Sequence, residues 1–258
     1  MCRLAAYLGE PVEAAALLLR PEHSLYRQSW QPRELRYACV NADGWGMGWF
    51  DAAGHPRHYR SAAPIWADPN LRDLSEALVA PLWLGFVRSA TEGFGNAIEN
   101  VQPFHDGTCL FLHNGFVGDF ARSLRRPLTQ ALDDEHLALL RGSTDSEHLF
   151  ALASQLLAEL GDPVEALAAL AEWVAARLDR GVALLNLVLA RPGEVVALRH
   201  AIRDQAPSLY WLEEGMGLAP GARMLASEPL QADAPWQAVP ASHILRLVPD
   251  KPPEILAL

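Results

Sequence analysis

A cysteine at position 2 can combine a nucleophile and a base in one residue. When Met1 is removed, Cys2 becomes the N-terminal residue and carries a thiol beside a free α-amine. Ordinary pKa values of about 8.5 for a thiol and about 8 for an α-amine place both titrations near neutral pH. The neutral amine can then accept the thiol proton without any histidine nearby. The alternative is that this cysteine lies near the terminus by chance, so other residues must show which interpretation is correct.

Arg88 ends an apolar segment and precedes Ser89-Ala90-Thr91. An arginine among apolar neighbours needs a partner, because burying an unpaired charge is costly. Its planar guanidinium matches a carboxylate through two parallel hydrogen bonds. That carboxylate could belong to a substrate or to an acidic residue of the protein itself, and the sequence leaves both open.

The motif His113-Asn114-Gly115 closes another apolar segment. The side-chain amide of Asn114 and the backbone N–H of Gly115 could together form an oxyanion hole, which stabilises the tetrahedral intermediate of acyl transfer. An Asn-Gly pair is equally typical of a tight turn. His113 could be a general base or a hydrogen-bonded residue of the core.

The segment 41–48, N-A-D-G-W-G-M-G, has glycines at alternate positions. Glycine allows close approaches of the backbone that other residues forbid. The alternative is a hairpin turn at Asp43-Gly44, since Asp-Gly is a strong hairpin signal.

Thr144-Asp145-Ser146-Glu147 is typical of a capping box at the start of a helix. Thr144 would be the N-cap, and Glu147 would reach back to it. Asp145 would interact favourably with the helix dipole. A functional Asp145 would instead bind a substrate ammonium group.

The composition excludes several classes of protein. The chain has 258 residues and a net charge of −10, which argues against nucleic acid as a partner. No apolar run reaches the roughly 18 residues of a membrane span, and the N-terminus lacks the features of a secretory signal. We therefore expect a cytoplasmic protein that binds neither nucleic acid nor a membrane.

The three cysteines form no C-x-x-C pair and do not suggest a disulfide framework or a zinc site. We expect no metal and no cofactor. Cys39 and Cys109 are interpreted as small buried hydrophobic residues.

The order of elements indicates an α+β fold in which helices pack on largely antiparallel sheets. Helical periodicity is clear over residues 146–160 and 163–178, and a third amphipathic stretch covers 12–19. Residues 2–258 are expected to form a single domain. The predicted strands cover residues 3–8, 46–50, 82–88, 108–113, 182–190, 195–199, 209–212, 224–227 and 244–248.

Taken in order, Cys2 and the motifs N-A-D-G-W-G, R-S-A-T, N-V-Q-P-F, H-N-G and T-D-S-E resemble the class II glutamine amidotransferases, a branch of the N-terminal-nucleophile hydrolases. The resemblance implies a four-layer αββα sandwich, with Cys2 as the nucleophile and its α-amine as the base. It also implies the substrate contacts. Arg88 and Thr91 would bind the α-carboxylate of a γ-glutamyl group, and Asp145 would bind its α-ammonium. Asn114 and Gly115 would form the oxyanion hole. His113 is expected to be a further substrate contact.

A closer resemblance is to the amidohydrolases of ergothioneine biosynthesis. It rests on M-C-R-L, Q-S-W-Q-P-R (28–33), R-S-A-A-P-I-W (60–66) and A-S-E-P (226–229). This family removes the γ-glutamyl group from γ-glutamyl-hercynylcysteine sulfoxide. Leu4 is a departure, because the family often has His there, and the residues that contact the leaving group are therefore less defined than the glutamyl site.

Several alternatives remain open at this point. The chain is too short for an additional ammonia-consuming domain, so it could hydrolyse general γ-glutamyl dipeptides or act as a glutaminase subunit docked on a separate synthetase. It could also be a non-catalytic binding module, and a homodimer stays open. The leaving group carries a trimethylammonium, for which aromatic rings are suitable partners. Candidate rings, each of which could instead belong to the core, are Trp30, Trp45, Trp66 and Tyr37.

Overall fold

The strands of this protein form two sheets. A computed structural model describes residues 2–90, 95–213, 215–217 and 219–258. The strands are β1 (Arg3–Glu13), β2 (Trp45–Phe50), β3 (Pro56–Ser61), β4 (Val79–Val87), β5 (Phe104–His105), β6 (Leu110–Val117), β7 (Ala183–Arg191), β8 (Glu194–Ile202), β9 (Tyr210–Leu212), β10 (Arg223–Ala226), β11 (Gln237–Ala238), β12 (His243–Leu247) and β13 (Glu254–Ala257).

The first sheet has seven strands in the order β11-β9-β10-β1-β4-β2-β3, and the second has six in the order β13-β12-β8-β7-β6-β5. Neighbouring strands are antiparallel in both sheets. The N-terminal strand β1 therefore lies in the middle of the first sheet, between β10 and β4. This position places the residue before it, Cys2, inside the molecule rather than at an edge.

Helices cover the outer face of each sheet. Two short 3-10 segments, Ile65–Ala67 and Ile98–Asn100, complete the helical structure of the described ranges. The α-helices are α1 (Ala15–Leu18), α2 (Leu25–Gln28), α3 (Leu71–Ala77), α4 (Phe120–Ser123), α5 (Arg125–Ala131), α6 (Asp134–Leu137), α7 (Asp145–Leu160) and α8 (Pro163–Arg177).

Three buried hydrophobic clusters separate four layers. One lies between α1–α3 and the first sheet and includes Leu17 and Trp83. A second lies between the sheets and includes Cys2 and Leu112. The third lies between the second sheet and α7 and α8. The expected α+β class and the αββα sandwich with antiparallel sheets are confirmed, while the single domain over 2–258 stays a prediction.

The two long helices begin and end where local chemistry requires. The hydroxyl of Thr144 accepts a hydrogen bond from the Glu147 N–H at the start of α7. Gly161 ends this helix in the left-handed region at φ 76°, which a glycine adopts without steric cost. Asp162 then caps α8, and Pro163 occupies its first turn. The two helices predicted from periodicity are thereby confirmed, the second ending one residue early at Arg177.

Three expectations were wrong. The stretch 12–19 is not one amphipathic helix, because β1 passes an irregularity after Leu8 and pairs Val12 with Ala80 before α1 begins. Glu147 does not reach back to Thr144; its carboxylate accepts the N–H groups of Arg141 and Gly142. Cys39 is exposed, whereas Cys109 is buried as expected.

The segment 41–48 leads into β2 instead of forming a hairpin at Asp43-Gly44. The Asp43 N–H donates to the Arg88 carbonyl at 3.0 Å, and the Arg88 N–H donates to the Gly44 carbonyl at 2.8 Å. Gly46 faces the carbonyl oxygen of Gln102 so closely that a side chain there would collide with it. The glycines thus allow β2 to pack against the segment before β5, as the close-approach interpretation requires.

Candidate active site

Cys2 lies between the two sheets beside the end of β4. Because Arg3 pairs with Val87 across β1 and β4, Cys2 is held next to Arg88 and Ser89. The Cys2 Sγ atom lies 3.4 Å from the Ser89 backbone nitrogen and 3.5 Å from its carbonyl oxygen. The thiol is 7% exposed, and burial raises its pKa, although the Ser89 N–H and the charges of Arg88 and Arg3 act in the opposite direction. A thiol with a raised pKa would need a base before it could attack a carbonyl carbon.

The backbone carbonyl of Cys2 is bound by two side chains. The Asn114 amide donates to this oxygen at 2.7 Å from β6 in the opposite sheet. The Arg3 Nε atom donates to the same oxygen, also at 2.7 Å. Asn114 is fully buried, and its Oδ1 atom has no hydrogen-bond partner among the described residues. A buried acceptor without a partner is costly, so it marks a position where a donor from outside the described residues would be stabilised.

Asn114 and Gly115 lie inside β6 and do not form the turn that an Asn-Gly pair can also indicate. Asn114 is paired with Asn186 and Gly115 with Leu185 in the ladder to β7. A side chain at position 115 would collide with the Leu184 carbonyl oxygen and would lie 2.5 Å from the His113 ring. Only glycine therefore allows this strand to bring Asn114 to Cys2.

Arg88 is 4% exposed, and its hydrogen-bond partners among the described residues are neutral oxygens. Its guanidinium donates to the carbonyl of Asp43 at 3.1 Å, to the Asn96 side chain at 3.3 Å and to the Gly95 carbonyl at 3.4 Å. Burial lowers its pKa, opposed by the nearby charges of Cys2, Asp43 and Asp145. Within the described ranges no carboxylate lies within 4.0 Å of it, so the internal ion pair that the sequence left open is not seen there. Thr91, the predicted companion of Arg88, lies outside the described residues.

Asp145 begins α7 and points its carboxylate at β6. One oxygen accepts the Val117 N–H at 2.7 Å, and the other accepts the Ser146 N–H at 2.8 Å. The residue is 5% exposed, and its charge acts on both Arg88 and His113. The opposite charges of Asp145 and Arg88 act on each other, and Arg88 also acts on Cys2. That the two side chains bind a zwitterionic ligand stays a prediction.

His113 is a hydrogen-bonded core residue. Its Nδ1 atom pairs with the Ser146 hydroxyl and its Nε2 atom with the Leu184 carbonyl, each at 2.9 Å. Burial lowers the pKa of His113, opposed by Asp145. A direct contact between His113 and a substrate, which stays a prediction, would have to break one of these hydrogen bonds.

Glu228 and Arg3 are the site residues that the sequence pattern missed. The Glu228 carboxylate accepts hydrogen bonds from Arg3 Nη1 at 2.9 Å and His23 Nε2 at 2.8 Å, and also from the backbone N–H groups of Arg33 and Glu34. Burial acts to raise the pKa of Glu228, but His23, Arg3 and the two N–H groups outweigh it and the pKa is lowered. Glu228 therefore fixes Arg3, which in turn fixes the carbonyl of Cys2. The sequence signals that could have indicated this pair are the acidic residue in A-S-E-P, Glu228, and the basic residue next to Cys2, Arg3.

The described residues offer no evident metal site. In those ranges no three His, Cys, Asp or Glu side chains are grouped to hold an ion. No helix there is long and apolar enough to cross a membrane.

Comparisons with known proteins identify relatives of this chain. Residues 22–249 match the family described as glutamine amidotransferases class-II. A γ-glutamyl-hercynylcysteine sulfoxide hydrolase of Mycobacterium tuberculosis is 33% identical over 248 residues, which is 96% of this chain and 93% of that protein. A probable glutamine amidotransferase of Saccharomyces cerevisiae is 29% identical, covering 96% of this chain and 82% of that one. The solved structure of a class-II domain protein from Silicibacter pomeroyi superposes with a TM-score of 0.74 at 26% identity over the full length of both chains.

Replacing Glu228 tests the network behind Cys2. We expect Glu228→Gln to lower the free energy of unfolding by about 3 kcal/mol, because it leaves the buried Arg3 charge without its partner. Because the pKa of Glu228 is lowered in the folded state, its contribution is present above the unfolded carboxyl pKa and is lost as the pH falls through the folded value. Urea unfolding of both proteins from neutral to acidic pH should therefore show a difference that shrinks on acidification.

The exposed pair of Arg72 and Glu76, 3.5 Å apart, provides the control. Glu76→Gln should change stability by less than about 0.5 kcal/mol, since an exposed ion pair contributes little. Equal losses in the two variants would show that Glu228 is no more than a surface charge.

Proposed function

The chain belongs to the class II glutamine amidotransferase family, and from that membership we propose that it hydrolyses a γ-glutamyl amide bond with Cys2 as its nucleophile. The observation that supports the proposal is that β4 and β6 meet at Cys2, while the charge of Asp145 at the start of α7 acts on Arg88. The N-terminal residue before β1 brings the sulfur, the end of β4 brings Arg88, β6 brings Asn114, and α7 brings Asp145.

The glutamyl group is held by its two charges. The guanidinium of Arg88, free of protein carboxylates in the described ranges, binds the α-carboxylate, and Asp145 binds the α-ammonium. Both charges are remote from the amide that reacts. Gripping them fixes the position of the amide carbon beside Sγ, so binding energy is used to orient the reacting atoms.

The α-amine of Cys2, free once Met1 is removed, is the base. It takes the thiol proton, and the thiolate attacks the γ-carbonyl carbon to give a tetrahedral oxyanion. The Asn114 amide nitrogen carries two hydrogens, of which one binds the Cys2 carbonyl and the second is available to the oxyanion, together with the Gly115 N–H. Collapse breaks the C–N bond, the leaving amine takes the proton from the ammonium, and a thioester remains. Water, deprotonated by the same amine, then attacks the thioester and releases glutamate and the thiol.

We propose γ-glutamyl-hercynylcysteine sulfoxide as the substrate, which gives hercynylcysteine sulfoxide and glutamate. The support is the 33% identity, over 96% of the chain, to a mycobacterial protein named for this reaction. The yeast relative, named a probable glutamine amidotransferase, supports a second candidate, a glutaminase subunit that supplies ammonia to a separate synthetase. A cytoplasmic location and a homodimer stay predictions.

Glutamate release separates the two candidates. The purified protein should hydrolyse γ-glutamyl-hercynylcysteine sulfoxide with a kcat/KM at least about a hundredfold above that for glutamine, since the leaving group supplies binding that ammonia cannot. The Cys2→Ala variant should release no glutamate from either compound. Comparable turnover of glutamine would instead favour the glutaminase, and undiminished activity of Cys2→Ala would remove Cys2 from the mechanism.

Arg88→Lys tests the grip on the α-carboxylate. An ammonium cannot reproduce two parallel hydrogen bonds, so KM should rise by about tenfold or more while the fold is retained. Arg199 provides a matched control, because it is also partly buried and donates to the carbonyl of Pro207 at 2.6 Å. Arg199→Lys should leave KM within about twofold of the unmodified protein. A KM that does not change in Arg88→Lys would assign Arg88 to a structural role.

A further inference from the structure

A cleft of about 610 Å³ opens beyond the glutamyl site, at the end of β6. Phe116 and Gly118 line one side, and the start of α4 and the turn before β7 continue it. Tyr37 and Asp204 close the opposite side from two loops. Neither the nucleophile nor the glutamyl anchors line this cleft, so it is a separate space next to them.

The strand geometry places one wall of the cleft close to the residue that contacts Cys2. Side chains alternate along a strand, so Asn114 and Phe116 project from the same face of β6, about 7 Å apart along it. This face points to the space between the sheets, because Leu110 and Leu112 lie there with Cys2. On the helix side of the strand, Asp145 holds the Val117 N–H at 2.7 Å. Phe116, in the wall of the cleft, therefore lies next along this face of β6 to the side chain that contacts Cys2.

An aromatic pair forms the wall of the cleft. The rings of Tyr37 and Phe116 are 5.4 Å apart at an interplanar angle of 83°. Tyr37 is 53% exposed, and its hydroxyl donates to Asp204 at 2.6 Å. Aromatic faces attract cations, most strongly when the cation is poorly hydrated. The Arg36 guanidinium already lies 5.6 Å from the Tyr37 ring centre, and a ring has a second face for another cation.

Charges of both signs surround this pair. The hydrogen bond from Tyr37 lowers the pKa of Asp204, so the carboxylate beside the rings is ionised at neutral pH. Arg122 and Arg180 line the same cleft farther along, where Arg122 lies 3.8 Å from Asp119. Asp204 itself lies 3.8 Å from Arg36, and all of these side chains are partly or largely exposed. Carboxylates beside aromatic rings suit a quaternary ammonium, and arginines suit a carboxylate. The lining is thus complementary to a betaine.

We propose that this cleft binds the leaving group of the substrate, with Tyr37, Phe116 and Asp204 around its trimethylammonium and the arginines near its carboxylate. The proposal rests on the function proposed above, and it makes Tyr37 and Phe116 the residues that decide specificity. The other candidate rings are placed differently. Trp45 is fully buried and donates to Asp68, and Trp66 lines a separate cleft with Tyr26.

Two substrates distinguish this subsite from the glutamyl site. One is γ-glutamyl-hercynylcysteine sulfoxide, and the other is γ-glutamyl-S-methylcysteine sulfoxide, which has the same amide and sulfoxide but no betaine. Tyr37→Leu and Phe116→Leu should each raise KM about tenfold for the first substrate and leave kcat/KM for the second within about twofold. Tyr37→Phe, which keeps the ring, should stay within about threefold on both.

Trp66→Leu is the matched control, since Trp66 is also an exposed aromatic residue but lies in the other cleft. It should not change KM for either substrate. Two results would overturn the subsite in a protein that prefers the betaine substrate. In the first, Tyr37→Leu and Phe116→Leu leave that preference intact. In the second, they lower kcat/KM equally for both substrates. A protein that shows no preference before any substitution contradicts the proposed function instead.

Inhibition by product tests the subsite without a variant. Hercynylcysteine sulfoxide should compete with γ-glutamyl-S-methylcysteine sulfoxide about tenfold more strongly than its counterpart with an unmethylated histidine amine, because a hydrated ammonium loses more solvation in an aromatic site. Equal inhibition by the two compounds would overturn the betaine site even if a variant failed to fold.

Discussion

The hydrogen bond from Asn114 to the carbonyl of Cys2 joins the two sheets at the residue that we propose as the nucleophile. Arg3 binds the same carbonyl and is itself held by Glu228, so the backbone of the nucleophile is fixed from both sheets. A nucleophile at a chain terminus would otherwise be free to move, which would cost much of the benefit of proximity. Burying the N-terminal strand in the centre of a sheet solves this problem.

The same burial creates the need for a base. Taking the Cys2 thiol out of water raises its pKa, and the neighbouring positive charges of Arg88 and Arg3 do not cancel the effect. Both ring nitrogens of the nearby His113 are occupied within the protein. In the mechanism that we propose, the α-amine of Cys2 accepts the thiol proton, and catalysis would then depend on the removal of Met1.

Much of this could be predicted from sequence, because the signals were local. Thr144 with Gly161 and Asp162 marks the two long helices, and Arg88 and Asp145 stand at the end of β4 and the start of α7. What could not be predicted depended on distant pairings. Glu228 and Arg3 are 225 residues apart, and β3 is polar enough to show no apolar alternation. The cleft near Phe116 is built by loops, which carry no periodic pattern.

The central claim is that one residue carries both nucleophile and base. It is tested most directly by labelling the active protein with a chloromethyl ketone analogue of glutamine, followed by peptide mapping and mass spectrometry. The account predicts that inactivation coincides with a single label on a peptide that begins at Cys2 and lacks Met1. An N-terminal peptide that still contains Met1 in fully active protein, or inactivation by a label on Cys39 or Cys109, would contradict it.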